Sequence, residues 1–175
     1  KKLEALAKLL HRVHALPTSG ILFQPHDIAK RYAANLKTNH RLYPFALRCE
    51  EIIANIPRIG KFNCCHNDVV AANIIADPAL KLLDWEYSCD NDPMFDLASL
   101  IGFHDLVDSR QSILFNAYAG GKDFVLKERL DVQVRVYDII QWLWLANRQL
   151  VRWTSAQEIR LEELQRRILC REITA

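Results

Sequence analysis

Leu3, Leu6, Leu9, Leu10 and Val13 recur at three- and four-residue intervals, the spacing that gathers side chains on one face of an α-helix. Pro17 lies just past the run and sets its limit, because a proline inside a helix removes a donor and crowds the preceding turn. The helix opens at residue 1 with no capping side chain, which leads to the expectation that the natural chain continues upstream. Asp27 is placed to cap a second helix running to about Leu36. Leu47, Ile52, Ile53 and Ile56 stripe a third, from Pro44 to Ile56, closed by Pro57.

From Phe62 the pattern changes. A short apolar run meets a polar cluster at His66 to Asp68; Asn73-Ile74-Ile75-Ala76 follows, Asp77-Pro78 breaks it, and Leu80-Lys81-Leu82-Leu83-Asp84 resumes. This predicts two short strands joined by a turn, with polar groups at their outer ends. Beyond Pro93 the helical period returns in four segments: Phe95 to about His104, Arg110 to Tyr118, about Lys127 to Arg152, and Ser155, as cap, to about Glu172. Gly120-Gly121 interrupts the second and third of these. The expected class is α+β, mainly α, with a small β-hairpin set among helices.

Composition narrows the functions open to such a domain. Half of the 175 residues are apolar, enough for one domain with its own core. Lysine and arginine number 23 against 21 acidic residues; a formal charge of +2 gives no field that argues for a nucleic acid or an anionic membrane as partner. No apolar run approaches the roughly 20 residues that span a bilayer, and the opening segment does not resemble a signal peptide, so a cytoplasmic protein is expected. Cys49, Cys64, Cys65, Cys89 and Cys170 are odd in number and form no C-x-x-C pair, which argues against both a disulfide framework and a zinc site.

The chemistry concentrates in His66-Asn67-Asp68-Val69-Val70-Ala71-Ala72-Asn73 and Leu82-Leu83-Asp84-Trp85-Glu86. A strand turn between them can carry Asp68, Asn73 and Asp84 to one end of a hairpin. Three oxygen-bearing groups there suit phosphoryl transfer, which needs metal ions to neutralise phosphate charge and a group to orient the attacking hydroxyl. Asn73 and Asp84 would furnish the protein's ligands to Mg2+, whose other positions go to water and to the phosphates of ATP. Asp68 would accept the acceptor's hydroxyl proton. His66 would brace this catalytic loop.

H-N-D-x-x-x-x-N followed by L-L-D-W-E-Y resembles the catalytic and metal-binding loops of the aminoglycoside phosphotransferase and choline kinase superfamily, nearest to bacterial choline and ethanolamine kinase-like proteins. D-W-E favours this small-molecule branch over the D-F-G of protein kinases. Asp90-Asn91-Asp92-Pro93-Met94-Phe95-Asp96-Leu97-Ala98 is similar to the segment entering the family's next helix, and the resemblance gives Asp96 the part of propping the catalytic loop. Leu9-Leu10-His11-Arg12-Val13-His14 resembles a helix that follows the family's hinge. His11 and His14 themselves read as helix-surface or loop-packing residues.

The resemblance implies that residues 1–175 form the C-terminal, catalytic lobe of a kinase-like fold. The glycine-rich phosphate loop and the nucleotide-anchoring lysine, which the family carries in a smaller N-terminal lobe, have no counterpart here. This lobe alone is therefore expected to be inactive. Choline or a related amino alcohol is the expected acceptor, since Tyr137, Trp142, Trp144 and Trp153 offer aromatic faces that attract a quaternary ammonium. By resemblance Tyr87 and Trp144 fall at pocket positions, and Glu86 lies near the second metal or the acceptor. The family's usual pocket carboxylate has no clear counterpart: Phe103 falls there, with Asp105 and Asp108 as substitutes. Core packing is the competing reading for the tryptophans. Thiamine and aminoglycosides remain open as acceptors, and a catalytically silent kinase-like binding domain is the alternative of another class.

Overall fold

The computed structural model describes residues 1–37, 40–57, 60–148 and 153–172. In chain order these form α1 (Lys2–His14), α2 (Pro25–Asn35), α3 (Tyr43–Ala54), β1 (Asn63–Cys65), a single 3-10 turn (Ala71–Asn73), β2 (Ile74–Ala76), β3 (Leu80–Leu82), β4 (Cys89–Asn91), α4 (Met94–Phe103), α5 (Asp108–Ala119), α6 (Phe124–Arg148) and α7 (Ser155–Glu172). The class is the expected α+β, mainly helical arrangement. Among the described residues no helix is long and apolar enough to cross a membrane.

The chain divides into two compact units, one of residues 1–23 and 59–134, the other of residues 24–58 and 135–175, the division running through α6. In the first unit, α1 buries Leu9, Leu10 and Val13 of the stripe that its periodicity marks, with Ala7 beside them, while Leu3 and Leu6 are partly buried. It packs along α5. Nine consecutive residues of α4, Met94 to Gly102, are buried, the polar Asp96 and Ser99 among them. The strands form two antiparallel pairs: β1 with β4, where Cys65 faces Cys89, and β2 with β3, where Ile74 faces Leu82. The β2–β3 hairpin matches expectation. Strand β4 was not legible, because Cys89-Asp90-Asn91 carries no apolar alternation and owes its extended form to β1 on one side and to Ile21–Phe23 on the other. There Asp90 N–H donates to the Ile21 carbonyl and Phe23 N–H to the Asp90 carbonyl, each at 2.8 Å.

The second unit closes over Ala29, Ala33 and Leu36, Ala46, Cys49 and Ile53, Ile139, Trp142 and Leu143, and Leu161, Leu164 and Ile168. Trp142 is fully buried, with Phe45 edge-on at 4.7 Å. It packs as core. Two expected caps are corrected here. Asp27 lies inside the first turn of α2, which starts at Pro25 after Gln24 with no side-chain cap; proline's fixed φ suits the first helical position, and the carboxylate complements the helix dipole instead. Ser155 opens α7, but the cap is Thr154, whose Oγ1 accepts from Gln157 N–H at 3.3 Å while Gln157 Oε1 accepts from Thr154 N–H at 3.0 Å. The expected end of α6, at Arg152, lies outside the described residues.

Candidate active site

The hairpin sets the site's geometry. Asn73 directly precedes β2 and Asp84 lies two residues past β3; Leu83 N–H donates to the Asn73 carbonyl at 2.9 Å, so both strands leave the hairpin at one end. Between Asp68 and Asn73 the chain makes only the 3-10 turn, short enough for the Asn73 side chain to reach back. Asn73 Nδ2 donates to Asp68 Oδ2 at 2.8 Å and to the Asp68 carbonyl at 3.0 Å. Both amide protons are thereby used, which leaves Oδ1 as the atom of Asn73 able to meet a cation.

Asp68 is half-buried, and its carboxyl is pushed above the usual carboxylate range, first by burial and then by the charges of Asp84 and Glu86. The Asn73 hydrogen bond and His66 oppose that push. Asp68, Asp84 and Glu86 thus stand in one electrostatic neighbourhood. Asp84 is exposed and holds φ at +60°, a left-handed conformation uncommon outside glycine but tolerated by Asp and Asn.

Both loops are braced. His66 is fully buried; its Nε2 meets the Leu83 carbonyl at 2.8 Å and its ring stands edge-on to Trp85 at 4.9 Å. It thereby ties the Asp68 loop to the residue just before Asp84. Asp96, also fully buried, accepts from His66 N–H at 2.9 Å and Asn67 N–H at 2.7 Å. These bonds run from Asp96 to the backbone of the loop that carries Asp68.

Glu86 and Tyr87 are exposed on the turn after Asp84, and the Tyr87 carbonyl accepts from Asn67 Nδ2 at 3.0 Å. Trp144 belongs to the second unit, where it is 39% exposed with the Arg148 guanidinium 4.8 Å from its ring centroid. The first unit's geometry does not include it.

Sequence reasoning missed three supports. Asn67 holds φ at +64° and is locked on both sides, Nδ2 also donating to the Cys89 carbonyl at 3.3 Å and Oδ1 accepting from Asn91 Nδ2 at 2.8 Å. Its signal was available: asparagine between two motif residues is the side chain that best tolerates a left-handed backbone. Asp92 caps α4 through Met94 N–H at 2.9 Å and grips Arg129 in a bidentate pair. His14 is buried rather than superficial, its Nε2 at 3.0 Å from Asp96 Oδ2.

An amide oxygen at Asn73 and a carboxylate at Asp84 are hard donors of the kind magnesium takes, and Glu86 adds a second carboxylate to the same turn. The residues fit such an ion.

A family model described as the phosphotransferase enzyme family matches residues 2–129. Protein LicA of Haemophilus influenzae is 25% identical over 157 residues, 79% of this chain and 59% of the relative. Thiamine kinase of Escherichia coli O81 is 33% identical over 90 residues, 51% of this chain and 30% of that enzyme. Among solved structures, a choline/ethanolamine kinase family protein from Mesorhizobium loti superposes with a TM-score of 0.77 at 19% identity, covering 97% of this chain and 61% of its own. The chain thus spans about three-fifths of the length of relatives matched along most of it, and less of the thiamine kinase.

Proposed function

Since the chain belongs to the phosphotransferase enzyme family, we propose that it is the catalytic lobe of a kinase that moves the γ-phosphoryl group of ATP onto a small-molecule alcohol, with choline or a related amino alcohol as acceptor. The observation that carries this reading is the Asn73 amide held at 2.8 Å from the Asp68 carboxylate, at the hairpin end from which Asp84 emerges.

In this reading Asp68 accepts a hydrogen bond from the acceptor hydroxyl and takes its proton as the new oxygen–phosphorus bond forms. The bond between the β- and γ-phosphates breaks, and its electron pair leaves on the nucleoside diphosphate. Asn73 Oδ1 and Asp84 would hold Mg2+, which would supply positive charge against the phosphates. His66 and Asp96 fix the loop, and an ionised Asp68 is what the proton transfer requires. Glu86 and Tyr87 are assigned to the acceptor side, where a carboxylate and an aromatic face suit a quaternary ammonium. The nucleotide lobe is supplied by chain beyond these residues, so the lobe alone does not turn over, and the setting is cytoplasmic.

Thiamine is the second reading, favoured by the likeness to the Escherichia coli enzyme of that name; its cationic ring would use the same aromatic face. A phosphorylation screen of the full-length protein with Mg-ATP against choline, ethanolamine, thiamine and an aminoglycoside decides between them. Turnover of choline or ethanolamine is the expected result. Turnover of thiamine or the aminoglycoside alone reassigns the acceptor. No turnover of any alcohol, with nucleotide still bound, makes the domain a silent binding module.

A further inference from the structure

His14, the last residue of α1, stands in a chain of hydrogen bonds that ends at the loop carrying Asp68. His14 is 5% exposed; its Nδ1 lies 2.7 Å from the Tyr118 hydroxyl on α5 and its Nε2 3.0 Å from Asp96 Oδ2 on α4. Burial pushes the Tyr118 phenol well above its ordinary range, so it keeps its proton and donates to Nδ1. With the Asp96 carboxylate able only to accept on the other side, the arrangement calls for a ring proton on Nε2, facing Asp96. Asp96 Oδ2 accepts both that proton and His66 N–H, while Oδ1 accepts Asn67 N–H.

A carboxylate with no exposed surface needs donors on both oxygens to stay ionised and to hold one rotamer. Backbone amides supply two of the three here, and the third comes from His14. Tyr118 is held in turn: its carbonyl meets His11 Nε2 at 2.6 Å and its ring stacks on His11 at 4.2 Å. Cys65 lies close enough to complete a cluster of metal-ligand types with His14 and Asp96. Its thiol is kept protonated by burial and donates to the Asn91 carbonyl, and both Asp96 oxygens are taken, so the cluster is a packed hydrogen-bond network.

We propose that His14 is a positioning residue for the transfer reaction: presented by Tyr118, its Nε2–H orients Asp96, which holds the His66 and Asn67 amides and so sets where Asp68 stands. The inference rests on the reading of Asp68 as base, one residue past that clamp. His14 touches no substrate and acts only through Asp96.

The test compares His14→Leu, His14→Gln and Tyr118→Phe in the full-length protein, read by amide hydrogen exchange at residues 66 and 67 and by steady-state kinetics with Mg-ATP and the acceptor that the wild-type protein phosphorylates. Glutamine keeps a donor for Asp96; leucine does not. In His14→Leu the two amides exchange about tenfold faster or more while those of α7 are unchanged, and kcat falls by about 10- to 100-fold with KM for ATP held. His14→Gln restores most of both, and Tyr118→Phe falls between. Unchanged exchange at 66 and 67 in His14→Leu, equal acceleration throughout the molecule, or a glutamine variant as damaged as the leucine one each overturns the proposal. Exchange is read without any acceptor, so it separates this claim from the base assignment: a clamp that loosens as described while Asp68→Asn still transfers phosphate removes only the latter.

Discussion

At Asp68 two demands oppose each other. As the proposed base, the carboxylate must be shielded enough to have a use for a proton, which burial and the charges of Asp84 and Glu86 promote, yet it must be ionised to accept one, which the Asn73 amide and His66 favour. Burial prevails, so the carboxyl protonates at higher pH than an ordinary aspartate. A raised value means that the working, ionised form is lost sooner as pH falls. The acid limb of kcat/KM, which reports the free enzyme, is therefore expected to have its midpoint above the ordinary aspartate value of about 3.9, and a pH–rate profile checks it. The motif that carries His66, Asp68, Asn73 and Asp84 was legible because its residue types stand at fixed spacing. The lock on Asn67 and the place of His14 were not, since each is set by a partner distant in sequence: Asn91 for one, Asp96 and Tyr118 for the other.

At the scale of elements, the hairpin was readable from two apolar runs around Asp77-Pro78, whereas β4 was not, having no pattern of its own. Helix bodies followed the apolar stripe, and the caps moved from Asp27 to Gln24, three residues, and from Ser155 to Thr154, one residue, because proline geometry and a reciprocal Thr154–Gln157 pair decide such ends locally. Gly60, just ahead of β1, shows how one residue serves an element. Its φ of +108° is one that other residues rarely adopt, and a Cβ there would sit 3.0 Å from the Arg129 guanidinium. That guanidinium cannot simply swing aside, since Asp92 pins it at 2.8 Å and in turn caps α4. Gly60→Ala is expected to lower stability by about 1–3 kcal/mol, measured by urea denaturation against wild type. A loss within about 0.5 kcal/mol, the usual range for surface changes, would show that the loop relaxes freely.

For the molecule as a whole, sequence and fold agree on the class, and the family match spans both the helix carrying His14 and the loops carrying Asp68 and Asp84. These residues belong to one compact unit; the choice of acceptor was less legible, because aromatic residues on a helix stripe serve cores and pockets alike, as buried Trp142 and half-exposed Trp144 illustrate. The central claim is the proposal that the carboxylate of residue 68 does the proton chemistry, with Asn73 and Asp84 as the ligands proposed for the metal. Its most direct test is phosphoryl transfer by the full-length Asp68→Asn variant, with nucleotide affinity measured in parallel. The account predicts a fall in kcat of about 10²- to 10⁴-fold with ATP still bound as in wild type; a variant that transfers phosphate at the wild-type rate would contradict it.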